Sequence, residues 1–260
     1  MNLCFEKKHY CTHLKSWTLI ESCLWSYLID GLHKNEKVHY YTDRFTPAEL
    51  LQFWPLSSEQ KNILDAALAN GNLEIFSGEQ VYLVDGQFNI DGRLNFAKIA
   101  IAKAQAEGFS GFRIAAEMEW IKKAKNVNII DLVSDYEMRC NDLFDSNFIT
   151  CLCIYCDESL TPDLCFRALH AHPQVHALNQ TTQEIFKNPF MNKSGPDPLH
   201  DLRHWIRYLK SMGLNWIAHV DSGTKTKFKS DVYQNLAKYI EGNDFSQKGI
   251  PDIFLNISAL

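Results

Sequence analysis

Two stretches of the chain, near residues 112–116 and 149–155, are apolar almost throughout. A strand that is half solvated alternates apolar and polar residues; one that is apolar on both faces must be covered on both faces. The architecture that does this is a mostly parallel sheet with helices packed on either side. The rest of the chain supplies the needed partners. "WTLIESCLWSYLIDGL" (17–32) has apolar residues at helical spacing, with Gly31 as its stop. "KVHYYT" (37–42) reads as a strand. Thr46-Pro47 opens a helix, and "SSEQKNILDAALANG" (57–71) is another, from a Ser cap to Gly71.

"LEIFSGEQVYL" follows as a strand broken by a turn at Ser77-Gly78. "DGRLNFAKIAIAKAQAEG" (91–108) is a helix between an Asp cap and a Gly. "FRIAAEM" is a strand, "NVNIIDLVSDYEMRCNDLF" (126–144) a helix, and "NFITCLCIYC" (147–156) a strand. A helix from Thr161-Pro162 and a short closing strand "QVHAL" (174–178) complete the series. "NLCF" or "HYCTHL" supplies a first strand. Strands alternating with helices give βαβ units and an α/β fold. "NKSGPDP" (192–198) reads as a linker, dividing a domain over 1–192 from a C-terminal extension over 193–260. In that extension, Leu199, Leu202, Trp205, Ile206 and Leu209 form one stripe of a helix. The stripe docks on the domain itself or serves a homodimer or partner contact.

Charge narrows the function classes. The net charge is −5 and the pI about 6.0, which argues against direct nucleic-acid binding. The first residues, "MNLCFEKKHYC", contain no long apolar core of a signal peptide, and no apolar run is long enough for a membrane span. The expected setting is cytoplasmic, with the eight cysteines as reduced thiols.

In parallel α/β sheets, ligands bind beyond the carboxyl ends of the strands. Candidate ligand-binding residues gather there. Tyr41 and Asp43 end the second strand, and Glu117 and Glu119 end "FRIAA". Strand alternation puts Glu117 and Glu119 on one face, with Arg113 as a partner for either. Such a pair can split its pKa values and work as acid and base. Glu137 and Asn141 are four apart and share a helix face beside Tyr136. His172 stands before Pro173 at a helix end. "CLCIYC" with Cys165 and "HAHPQVH" raises the question of zinc, but C-x-C-x-x-C is not the usual pair spacing. Buried Cys behaves as a small hydrophobe, so the expected role is packing, with Cys151, Cys153 and Tyr155 on one side and Cys156 on the other. The sequence points to no metal ligand, cofactor or catalytic residue. A P-loop is missing after the first strand: "CTHLKSWTLI" has no glycine, and the lookalike "AHVDSGTKT" (218–226) breaks the spacing.

In this order, "YLIDGLHKNEKVHYYTD", "VYLVDGQFN", "EGFSGFRIAAEMEW", "DYEMRCNDLF", "CLCIYC", "LHAHPQV" and "KNPFM" resemble the MEDS family, the methanogen/methylotroph and DcmR sensory domain. The resemblance covers roughly residues 9–192. Asn35-Glu36 stands where the family usually has Gly-Glu. The resemblance implies a RecA/KaiC-like fold without a working nucleotide site. It implies sensing of a small, often hydrocarbon-like or methylated molecule in signal transduction or transcription regulation, through a histidine kinase or regulator partner. It also raises the weight of Tyr136, Glu137 and Asn141 as pocket residues. Two alternatives stand beside the sensor: a divergent nucleotide- or metal-dependent hydrolase using Glu117 and Glu119, and a ligand-free interaction module.

Overall fold

The computed structural model describes residues 5–187, apart from 6–7, 15, 47–48, 51, 53–55, 145–146, 157–159, 162–163, 165–166, 169–170 and 179–182. The expected extension over 193–260 with its helix, the 218–226 segment, Cys4, Cys165 and His170 lie outside the described residues.

Seven strands form one sheet: β1 (His9–Leu14), β2 (Glu36–Tyr41), β3 (Leu73–Phe76), β6 (Gly111–Glu117), β7 (Ile149–Cys156), β8 (Gln174–Leu178) and β9 (Gln183–Lys187). Their order is β3-β2-β6-β7-β1-β8-β9. Every neighbouring pair is parallel except β8 and β9. A two-residue pair, β4 (Leu83–Val84) and β5 (Gln87–Phe88), makes a separate antiparallel hairpin. The helices are α1 (Glu21–His33), α2 (Ser58–Ala69), α3 (Gly78–Tyr82), α4 (Ile90–Ala106) and α5 (Ile129–Phe144).

The two-residue period of a strand divides the core into two layers. Phe112, Ile114 and Ala116 of β6 join Cys151, Cys153 and Tyr155 of β7 in a cluster with residues of α4 and α5. Ala115, Leu152, Ile154 and Cys156 face the other way, against residues of α1 and α2. Helices thus cover both faces, and Cys156 parts from Cys151 and Cys153 as alternation requires. The described cysteines are free thiols.

Several boundaries shift for local reasons. Gly31 does not stop α1; it lies inside the helix because the Arg113 side chain passes it, and a Cβ there would meet Arg113 Cδ at 2.6 Å. The stop comes at the following turn, where Asn35 adopts φ 56°. Asn tolerates the left-handed region better than most residues, so it can make this turn. The segment after β3 is the helix α3, not a continued strand, because Ser77 Oγ accepts from Gln80 N. β9 pairs antiparallel with β8, so "QVHAL" does not close the sheet. α4 is capped by Asn89, whose side chain accepts from Gly92 N, and not by Asp91.

On β2, the His39 imidazole lies 2.8 Å from Glu74 through Nε2 and 3.1 Å from Tyr41 OH through Nδ1. Burial outweighs the Glu74 carboxylate and lowers its pKa from 6.5 to about 4. At neutral pH the ring is therefore neutral, donating from Nε2 to Glu74 and accepting from Tyr41. Between pH 6.5 and 4 the unfolded chain binds a proton here that the folded chain does not, so stability falls as pH falls. The full swing is about 3 kcal/mol. Chemical denaturation at pH 7 and pH 5 is expected to show a smaller loss in His39→Gln than in the parent; equal losses would assign the acid sensitivity to other groups.

Candidate functional site

The residues at the carboxyl edge do not form one catalytic pair. Glu117 ends β6 on the α1/α2 face and is 1% exposed. Tyr40 OH donates to it at 2.5 Å and Thr42 Oγ1 at 2.6 Å. Arg44 grips both carboxylate oxygens, Nε to Oε2 at 3.0 Å and Nη2 to Oε1 at 2.6 Å. Such forked, charge-assisted contacts are among the strongest polar pairs. The Arg44 guanidinium lies 3.9 Å over the Trp17 ring, so the segment after β1 is tied into the same knot. The aromatic ring that follows β1 is thus capped by an arginine.

Glu119 is elsewhere. The strand stops at Glu117, and Met118–Lys123 turns into a 3-10 helix, so strand alternation no longer applies. Glu119 pairs with Lys122 at 2.6 Å. Arg113 serves neither carboxylate: it binds Glu36 at 2.6 Å, Asp30 at 3.0 Å and the Tyr27 carbonyl at 2.8 Å. Asp43 accepts from Ser77 Oγ at 2.7 Å and from Glu79 N at 3.0 Å, which fixes the start of α3.

Tyr41 and Tyr136 enter an aromatic cluster on the opposite, α4/α5 face. Tyr82 and Trp120 stack at 4.4 Å, 4° apart. Tyr136 meets Tyr82 and Phe88 edge-on, at 6.2 and 5.4 Å. Arg93, buried, sets its guanidinium 4.7 Å from the Tyr82 ring and 5.2 Å from the Tyr41 ring. Its Nε and Nη1, and Trp120 Nε1, meet no hydrogen-bond acceptor among the described residues. Sequence reasoning missed Arg93, Tyr82 and Trp120: each reads as an ordinary member of its helix or strand end.

A second buried cluster sits under α5 and holds the other three candidates. Glu137, Asn141 and His172 converge on His9 and Cys153. His9 is the first residue of β1, and Cys153 comes from the neighbouring β7. The inner atoms stand moderately apart: His9 Nε2 to Glu137 Oε2 3.3 Å, His172 Nε2 to Glu137 Oε2 3.5 Å, Cys153 Sγ to His9 Nε2 3.5 Å and to Glu137 Oε2 3.8 Å. The outer contacts are tighter. His9 Nδ1 meets Asn141 Oδ1 at 2.9 Å, and Asn141 Nδ2 donates to the Ala171 carbonyl at 2.8 Å. His172 Nδ1 meets the Ala168 carbonyl at 2.6 Å, and Tyr155 OH donates to Glu137 Oε1 at 2.6 Å.

Protons alone distribute the charge unevenly here. Burial opposes a charged His9, but hydrogen bonds with Cys151 and Glu137 outweigh it and raise the pKa from 6.5 to about 10. Burial and the neighbouring His9 lower His172 to about 3. Burial would raise the Glu137 carboxyl, yet His172 and His9 hold it below its ordinary value. His9 was missed in the sequence because only the pairing of β1 with β7 brings it to residues more than a hundred positions away.

Comparison with known proteins bears on the whole arrangement. No curated protein matches this chain. Among solved structures, the flagellar accessory protein FlaH from Methanocaldococcus jannaschii is similar at 12% identity and a TM-score of 0.47, over 70% of this chain and 79% of that one. The KaiC-like protein PH0186 from Pyrococcus horikoshii OT3 is similar at 11% identity and a TM-score of 0.44, over 70% and 77%. The sequence profile that matches, over residues 8–173, spans the sheet from β1 to the lead into β8 and takes in both buried clusters, and it is that of the methanogen/methylotroph, DcmR sensory domain: the chain belongs to the MEDS family.

Proposed function

We propose that this sensory domain binds a small, largely apolar molecule carrying one hydrogen-bond acceptor, within the aromatic cluster around Arg93. The observation that carries the reading is the set of buried donors, Arg93 Nε and Nη1 and Trp120 Nε1, that meet no acceptor among the described residues. An unsatisfied buried donor costs about 1–3 kcal/mol, more when charged. A ligand oxygen would satisfy the Arg93 donors, while Tyr41, Tyr82, Phe88 and Tyr136 cover its apolar part. Aromatic walls with a few polar anchors are the usual make-up of small-molecule sites.

The rings touch one another directly, so a ligand must part them. Its differential affinity for the parted arrangement would shift the population and move α5 through Tyr136. The receiver we infer is a cytoplasmic histidine kinase or transcription regulator, as the family resemblance implies. The hydrolase alternative lacks a specific supporting observation: Glu117 is taken up by Tyr40, Thr42 and Arg44, and Glu119 is not beside it on a shared face.

The test is a thermal-shift screen of short alcohols, ketones and carboxylates against the full chain. A compound at a hundred times its Kd adds about 2.7 kcal/mol. Arg93→Met is expected to abolish that increment. A panel without any stabilising member, or an increment that survives in Arg93→Met, would sink the reading.

A further inference from the structure

We infer that His9, Glu137, Cys153 and His172 form a four-ligand site for a divalent transition metal of the zinc type. The four ligand atoms, His9 Nε2, His172 Nε2, Glu137 Oε2 and Cys153 Sγ, lie within 4.8 Å of one another, and all four residues are buried. The site is independent of the Arg93 cluster and uses none of its side chains.

Spacing decides between a hydrogen-bond network and an ion. Hydrogen bonds between nitrogen and a carboxylate run about 2.7–2.9 Å. The two inner nitrogen–carboxylate separations are longer, 3.3 and 3.5 Å, while Cys153 Sγ stands 3.5 Å from His9 Nε2 and 3.8 Å from Glu137 Oε2, ordinary lengths for a thiol contact. Ligand atoms 2.0–2.3 Å from a tetrahedral ion stand about 3.3–3.8 Å from one another. The nitrogen–carboxylate distances are long for direct bonds, and all four distances fall in the range of the edges of a coordination tetrahedron.

The surrounding contacts orient the donors. Asn141 is fixed by its bond to the Ala171 carbonyl, so its own oxygen faces His9 Nδ1 at 2.9 Å. That assigns the proton to Nδ1 and turns the Nε2 lone pair inward. The Ala168 carbonyl, 2.6 Å from His172 Nδ1, does the same for the second imidazole. Tyr155 engages Glu137 Oε1 and leaves Oε2 facing the cluster. Histidines that ligate a metal through one nitrogen and donate from the other to an amide oxygen or carbonyl are the rule at such centres.

Charge agrees with spacing. A dication against the Glu137 carboxylate and a Cys153 thiolate is neutral overall, which suits groups at most 3% exposed. Two imidazoles, one thiolate and one carboxylate are the ligand types of tetrahedral zinc, and four protein ligands make a closed, structural site. A closed site takes its metal as the chain folds, so binding energy becomes folding energy.

The experiment is metal analysis of the full-length protein, followed by refolding with Co²⁺. One equivalent of zinc, or of Co²⁺ with the visible absorption of a four-coordinate ion and a thiolate charge-transfer band, is expected. Cys153→Ser should remove the charge-transfer band, and Asn141→Leu should weaken Zn²⁺ binding by about 10–100-fold. X-ray absorption on the unmutated zinc protein, which needs no variant to fold, should show one sulfur and three lighter ligands. Absence of stoichiometric metal after refolding with Zn²⁺ overturns the proposal. A sulfur count other than one, or a charge-transfer band that survives in folded Cys153→Ser, does so as well.

Discussion

Arg113→Met is expected to lower the stability of the domain by about 3–5 kcal/mol, the cost of stranding a buried charge. In a domain of this size that is roughly 10 °C of melting temperature. Arg113 is wholly buried between β6 and α1. It donates to Glu36 at 2.6 Å, and Glu36 is itself only 2% exposed. Removing the guanidinium leaves that carboxylate in the interior without the Arg113 charge. Restoring neutrality should recover most of the loss, so the Glu36→Leu/Arg113→Met double variant is expected to melt well above the single one. A buried ion pair replaced on both sides by apolar groups is often neutral in stability. A single variant that melts like the parent, or a double variant no better than the single, would show that the pair does not carry this weight.

The second large effect falls on Glu117. Glu117→Gln puts an NH₂ group where one carboxylate oxygen receives donors, against Tyr40, Thr42 and the Arg44 fork. The expected loss is about 3 kcal/mol, since a charged partner is removed from a buried pair. The effect should also be local. Arg44 holds Trp17, and Thr42 Oγ1 accepts from Arg44 N at 3.2 Å. Amide hydrogen exchange is therefore expected to speed up around residues 16–20 and 42–45 before it changes in β6. Uniform acceleration across the sheet, with no excess in these two segments, would contradict the knot described at this edge.

The architecture was legible because β6 and β7 are apolar on both faces, and only a helix-covered parallel sheet accommodates that. The layer followed too: the separation of Cys156 from Cys151 and Cys153 is a matter of counting by two. What stayed hidden depends on tertiary approach. Gly31 reads as a helix stop, and only the passage of Arg113 shows why it lies within α1. Glu119 reads as the partner of Glu117 until the strand gives way to a 3-10 turn. Glu137 and Asn141 look like a solvated pair; Glu137 is wholly buried because α5 presses this face onto β1 and β7. The polar character of these residues was visible, but their destination was not.

α5 carries Tyr136 and Glu137 as consecutive residues, one in the aromatic cluster and the other among the histidines and Cys153. Neighbours on a helix point about 100° apart, so one rigid rod faces two clusters at once. Linkage then works in both directions: an occupant of one cluster that shifts the rod alters affinity in the other by a factor equal to that of the reverse effect. The helix is a balance beam between the two clusters, and a measurement of either affinity as a function of the other occupant would weigh both.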